Sequence, residues 1–398
     1  MPLLSARSLG PLGVLVASLL VATGCDGAGD PDAGGAPRDA GAIDGGGRDA
    51  ATPDAAARDA SSERDAGVET DAGPPPAPGP RYVGRHAVSG DGARFSWPGS
   101  GLVVRFRGTA VRVTMNDAAR FFTVVVDSEV QPTLAVSGGT RTYTLASGLP
   151  DAEHTVELYR RTEGFFGATV VESIEVDGEL GAVPAPARAI EIIGDSISAG
   201  YGVDGADQHC SFSAETENHY LAYGAVAARA VGAELSTVAW SGKGIVHNYG
   251  DDRVEPMPTL YDRVIAAEAG STGTIRPVDA VVINLGTNDF STDGDPTGDE
   301  VTPAYVGLLE AVRARHPDAH VLCTIAPLLA GGDGTRARSY IEAAIAARHA
   351  AGDLRVSWVD LGASSIVTDW GCDWHPGART QAAMAARLVS ALEAELGW

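Results

Sequence analysis

Four short polar segments hold the residue types that nucleophilic catalysis uses. Ser196 stands in Gly194-Asp195-Ser196-Ile197-Ser198, Gly242 in Ser241-Gly242-Lys243-Gly244, Asn288 in Gly286-Thr287-Asn288-Asp289, and His375 in Asp373-Trp374-His375-Pro376-Gly377. A serine hydroxyl attacks poorly until a base removes its proton, and an imidazole titrates close enough to neutrality to do so. Taken one at a time, these residues have ordinary structural uses. Ser196 is the type found at a helix N-cap, and Gly242, Asn288 and Asp289 are common in turns. Asp195 reads as a residue that fixes the turn before Ser196. The weight lies in their arrangement, because the first three segments each follow an apolar run of strand length.

The elements that must position them fall into two bodies. From Arg81 to about Gly181 come short alternating runs broken by turn residues: Leu102–Phe106, Val111–Met115, Phe121–Val126, Arg141–Leu145, His154–Tyr159 and Val170–Val176. Strands at this spacing, with no helical pattern between them, predict a β-sandwich of jelly-roll type over 81–183. After Pro184-Ala185-Pro186 the pattern changes to α/β over 184–398. Strands are expected at Ala189–Ile193, Leu235–Trp240, Ala280–Leu285, His320–Ile325 and Val356–Asp360. Helices are expected at Asn218–Val231, Pro303–Arg315, Arg336–Ala351 and from about Ala378. Such alternation predicts a parallel sheet with helices on both faces, whose reactive groups gather beyond the carboxyl ends of the strands.

The N-terminus says where the chain would work. Residues 1–25 combine Arg7, an apolar stretch around Val14–Val21 and small residues up to Cys25, the pattern of a secretory signal. Ala22-Thr23-Gly24-Cys25 resembles a bacterial lipobox, which would make Cys25 a lipidated N-terminus. The expectation is an exported protein: a cell-surface or periplasmic lipoprotein, or a secreted one, with membrane contact only through that anchor. Residues 26–80 are almost entirely Asp, Ala, Gly, Pro, Ser and Arg, with no apolar periodicity, and read as an acidic tether. A net charge of −23 argues against a nucleic-acid partner. Of the four cysteines, Cys25 belongs to the signal and Cys323 to a buried-strand pattern. Cys210 and Cys372 remain, and export permits a disulfide between them.

The four segments, in this order, resemble the blocks of the SGNH (GDSL) hydrolase superfamily, which carries its nucleophile in a Gly-Asp-Ser block. Finer detail is similar to carbohydrate esterase family two: Trp240-Ser241-Gly242-Lys243-Gly244-Ile245 with Asn248-Tyr249-Gly250, and Glu215-Thr216-Glu217-Asn218 ahead of Tyr220-Leu221-Ala222-Tyr223-Gly224. The resemblance spans about Tyr82 to the C-terminus. It implies a flavodoxin-like parallel sheet preceded by a jelly roll, and removal of acetyl groups from plant polysaccharide, xylan or glucomannan, with no metal or organic cofactor. The protein is expected to act as a monomer.

Residue by residue, the resemblance implies Ser196 as nucleophile and His375 as base; His219 and His247 lie in no matching block and read as surface or substrate-side residues. It implies three oxyanion donors: the Ser196 amide, the Gly242 amide and the Asn288 side chain. Losing one such donor costs about 2.7–4 kcal/mol of transition-state stabilisation. Relatives place an aspartate three residues before the histidine, where this chain has Cys372. Asp373 is expected to orient the imidazole through its carboxylate; the alternative is a backbone carbonyl and a Ser–His dyad. Trp374 and Trp240 are candidate sugar-binding rings or, alternatively, core aromatics. Two other functions stand beside the deacetylase: a general short-chain esterase or lipase, and an inactive carbohydrate-binding lipoprotein.

Overall fold

The computed structural model describes residues 76–118, 120–362 and 367–398. The signal segment with Cys25, and the tether as far as residue 75, lie outside the described residues.

The first body is built of strands β1 (Arg81–Val83), β2 (Ala87–Ser89), β3 (Gly92–Phe95), β4 (Gly101–Asp117), β5 (Phe121–Val126), β6 (Glu129–Val130), β7 (Leu134–Ala135), β8 (Gly139–Arg160) and β9 (Thr169–Leu180). They form one hydrogen-bonded path, β2-β3-β9-β4-β8-β5-β6, with β1 on β4 and β7 on β5. β4 and β8 are each a single long strand where the sequence suggests two. Pairing runs from Gly101↔Tyr159 to Asp117↔Gly139, and the expected breaks become register shifts at Gly108/Ala110 and Val111/Arg112. Leu102, Val104 and Phe106 before the shifts, Val111 between them, and Val113 and Met115 after them enter one core with Phe95, Phe122 and Leu158.

The second body continues with β10 (Arg188–Gly194), α1 (Ser196–Ala199), α2 (Tyr223–Ala230), β11 (Ala233–Ala239), α3 (Met257–Leu260), β12 (Ala280–Asn284), α4 (Gly298–Arg315), β13 (His320–Thr324), α5 (Gly331–Ala350), β14 (Val356–Trp358) and α6 (Ala378–Leu396). Its sheet is parallel, in the order β11-β10-β12-β13-β14. From β10 the chain steps first to one side and then to the other. The loops after β10, β11 and β12 therefore open at neighbouring strand ends, a switch point where α/β sheets build sites.

Period-two alternation sets the layers. Ala189 and Ile193 face the core shared with α3, α4 and α5, whereas Ile190 and Ile192 face α2 and α6. Helix α4 begins before the expected Pro303, because Thr297 and Glu300 form a capping box that starts it at Gly298.

Glu191, on the face of β10 shared with Ala189 and Ile193, joins the two bodies. Arg85, between β1 and β2, makes a forked pair with it at 3.0–3.2 Å, and both side chains are fully buried. Arg85 also donates to the carbonyls of Tyr261 and Arg263, and His316 Nε2 lies 3.4 Å from Glu191. Burial raises the Glu191 carboxyl, but Arg85 and His316 outweigh it and hold it well below the usual carboxylate range. Trp97 donates its indole N–H to the Arg263 carbonyl at 3.0 Å across the same junction.

Removing one partner of a buried pair strands the other charge, at about 3–5 kcal/mol. Arg85→Met should therefore lower the unfolding midpoint sharply in guanidinium titrations, and Arg85→Met/Glu191→Leu should recover much of the loss. An unchanged midpoint in the single variant would show that the pair does not hold the junction.

Candidate active site

The turn after β10 places Ser196 at the carboxyl end of the sheet, where it is 8% exposed. Asp195 caps α1 with extended backbone, and its Oδ1 accepts from Ile197 N at 3.0 Å. Ser196 occupies the first helical position, so its amide has no partner within the helix. The turn needs glycine at 194, where a Cβ would sit 2.1 Å from Ser198 Oγ. Burial pushes the Asp195 carboxyl up to about 7.

The loop before α6 brings His375 to Ser196. Nε2 lies 2.9 Å from Ser196 Oγ, and Nδ1 lies 3.0 Å from the backbone oxygen of Asp373. A carbonyl only accepts, so Nδ1 carries the proton and Nε2 presents its lone pair to the hydroxyl. Asp373 thus differs from the expected triad role. Its carboxylate points away and accepts from Tyr201 O–H and Phe212 N, each at 3.0 Å. The reason is backbone conformation: Asp373 and Trp374 both take left-handed φ, 50° and 59°, which turns the Asp373 carbonyl, rather than its side chain, toward the ring.

Such backbone is strained for non-glycine residues and is tied down on several sides. Cys372 is disulfide-bonded to Cys210. Cys372 N donates to the Gly202 carbonyl and Asp373 N to the Cys210 carbonyl, both at 3.0 Å. The Tyr201 ring lies 4.1 Å from the imidazole on one side and stacks on Phe212 at 3.8 Å. The half-buried imidazole is held below its ordinary pKa of 6.5 by desolvation, partly offset by its bond to the Asp373 carbonyl.

The donors implied for an oxyanion come from the loops after β11 and β12. Gly242 has φ +77°, a conformation that a side chain would strain. Its carbonyl accepts from Tyr249 N at 2.8 Å. Asn288 Nδ2 donates to the Lys243 carbonyl at 3.0 Å and, more loosely, to Asp195 Oδ2 at 3.3 Å. Asp289 anchors the same loop by accepting from the amides of Ile245, Val246 and His247. The first body contributes Glu163, whose Oε2 accepts from Ser241 N.

Trp374 is 55% exposed beside the imidazole and packs edge-on against Trp370 and His209. Trp240, which directly follows β11, is partly buried: it packs against the core and edge-on to Trp97 of the first body. His219 and His247 are buried rather than at the surface, and each has a partner elsewhere. His219 bonds Thr237 Oγ1 at 2.9 Å and is lowered to about 3 by burial; His247 pairs with Asp251 at 3.0 Å. Cys323 is a buried free thiol. Sequence reasoning missed Tyr201 and Glu163. Tyr201 could have been noticed, since it follows the Ser196 turn directly. Glu163 carries no local signal.

Residues 82–186 match the family described as carbohydrate esterase 2 N-terminal, and residues 192–383 the GDSL-like lipase/acylhydrolase family. The chain is 36% identical over 331 residues to cellulase/esterase CelE of Acetivibrio thermocellus, covering 81% of this chain but 40% of that protein's length. It is 25% identical over 335 residues to an acetylxylan esterase/glucomannan deacetylase of Cellvibrio japonicus, covering 80% of this chain and 89% of the relative. A solved family two carbohydrate esterase from Clostridium thermocellum, in complex with cellohexaose, superposes with a TM-score of 0.77 at 34% identity, covering 80% of this chain and all of that one.

Two expectations follow from the geometry. Replacing a true triad aspartate by asparagine costs about 10⁴ in kcat. Asp373→Asn should cost less than about tenfold, because the imidazole partner is a carbonyl and asparagine tolerates left-handed φ; a loss near 10⁴ would return the carboxylate to the triad. Second, His375 must be neutral to take a proton, and its pKa lies below 6.5. In a pH–rate profile of ester hydrolysis, the pH at which kcat/KM has fallen to half on the acid side should therefore lie below 6.5, the ordinary imidazole value.

Proposed function

The chain belongs to carbohydrate esterase family two, and we propose that it removes O-acetyl groups from plant cell-wall polysaccharide, xylan or glucomannan, through a serine acetyl-enzyme. The observation that carries the reading is the 2.9 Å contact between Ser196 Oγ and His375 Nε2, with the other ring nitrogen fixed on a carbonyl. In this reading Ser196 Oγ attacks the acetyl carbonyl carbon while its proton passes to Nε2. The carbonyl oxygen becomes negative and meets the Ser196 and Gly242 amides, joined by Asn288 as its loose 3.3 Å bond to Asp195 gives way. The imidazolium then protonates the departing sugar oxygen. Water, deprotonated by the same nitrogen, attacks the acetyl-enzyme, and collapse returns acetate and the free serine.

The exposed Trp374 beside the base supports a carbohydrate over a long acyl chain, since flat rings stack on sugar faces. The Cys210–Cys372 disulfide supports work outside the cytoplasm, in agreement with the export signal read at the N-terminus.

The test is acetate release from acetylated xylan and acetylated glucomannan by the wild type, by Ser196→Ala and, for comparison, action on a long-chain aryl ester. Acetate from the wild type alone, with the long chain barely touched, is the expected outcome. Preference for the long chain would replace the deacetylase reading by a general esterase.

A further inference from the structure

The peptide groups around Gly242 are pinned one by one. Trp240 N donates to the Gly194 carbonyl at 3.3 Å, Lys243 N closes back on the Trp240 carbonyl at 3.2 Å, and Tyr249 N holds the Gly242 carbonyl at 2.8 Å. All three ties lie within the α/β body. The fourth does not: Ser241 N donates to Glu163 Oε2 at 2.5 Å, and Glu163 stands between β8 and β9 of the β-domain. The dihedral angles of Ser241 aim the next amide, that of Gly242. The acceptor that fixes them therefore governs where that amide points.

Glu163 is built to hold still. It is 2% exposed. Its own amide donates to Glu217 Oε1 at 3.0 Å. Buried Arg160 grips the backbone on either side, through Nη2 to the Glu163 carbonyl at 3.1 Å and Nε to the Thr162 carbonyl at 2.8 Å. Arg160 is in turn fixed by Nη1 on Thr169 Oγ1 at 2.8 Å. Next to it, Arg161 reaches the carbonyls of Glu217 and Glu215 and the Asp204 carboxylate, on the chain that carries Cys210. Burying a carboxyl group is costly unless a donor meets it. The Ser241 amide meets it, and contact between the bodies alone would be served as well by an apolar side chain.

We propose that Glu163 is a positioning residue for ester hydrolysis at Ser196: from the β-domain it holds the Ser241 peptide so that the Gly242 amide faces the developing oxyanion. The inference rests on the reading of Gly242 as an oxyanion donor. It makes the β-domain part of the catalytic centre rather than only a support or a separate sugar-binding module.

The experiment compares wild type, Glu163→Ala, Glu163→Gln and Glu163→Asp on para-nitrophenyl acetate, with kcat and KM measured separately and the unfolding midpoint recorded for each. A misaimed donor acts on the transition state and leaves ground-state binding alone. Glu163→Ala should lose about 30- to 100-fold in kcat with KM within about twofold. Glu163→Gln keeps an acceptor oxygen at the same reach and should restore kcat to within about threefold of wild type. Glu163→Asp keeps the carboxyl group but withdraws it by a methylene, and should lose about tenfold or more in kcat. Should the alanine variant fail to fold, the Gln/Asp pair decides. Aspartate equal to wild type, glutamine as impaired as alanine, or a lowered midpoint with unchanged kcat would each overturn the proposal. Turnover of the aryl acetate without release from any acetylated polysaccharide would instead overturn the substrate assignment and leave the Glu163 comparison intact.

Discussion

The imidazole of His375 is held by a peptide carbonyl, and a carbonyl holds only as firmly as its own chain is held. A carboxylate on a flexible side chain could adjust to a moving ring; the Asp373 oxygen cannot. Much of the architecture around the site answers that constraint. Two successive residues take left-handed φ to aim the oxygen. The disulfide to Cys210, the amide bonds to Gly202 and Cys210 and the Tyr201 hydroxyl on the Asp373 carboxylate keep them there. Asp373 is thus still at the centre of the arrangement, with its side chain and main chain exchanging roles: the carboxylate braces the loop and the carbonyl orients the base.

The other half of the site depends on the junction between the bodies. The Gly242 loop ends β11, the edge strand of the parallel sheet, where neighbouring strands support it on one side only. The β-domain stands in for the missing neighbour. Arg85 ties it to the sheet at Glu191, deep in the core, and Glu163 meets the loop at Ser241. A buried ion pair contributes little net stability over an apolar contact of the same shape, but its forked geometry admits one register. At this junction register matters, because it decides where Glu163 stands.

Much of the architecture was legible in the chain, because the patterns that specify strands and helices are local. The apolar run Ala189–Ile193 specifies a strand buried on both faces, and local turn chemistry places polar residues at the ends of such strands. Where reading erred, pairing overrode local breaks. The interruptions inside β4 and β8 became register shifts once a partner strand lay alongside, and α4 started at a capping box ahead of its proline. Nothing local to Trp240 reveals that Trp97 of another body will lie edge-on against it.

By itself the sequence determined that Ser196, Gly242, Asn288 and His375 would sit at strand ends and helix starts, since those positions follow from short-range chemistry and from blocks of residues a few positions long. Only the tertiary structure decided which group of Asp373 meets the imidazole, what holds the Ser241 peptide and how the two bodies lock. Those contacts join residues 172 apart for Tyr201 and Asp373, 78 apart for Glu163 and Ser241, and 106 apart for Arg85 and Glu191. At such separations a partner is chosen by how whole layers pack, and a hydrogen bond that must close to within a few tenths of an ångström has no signature in the neighbouring residues of either chain segment.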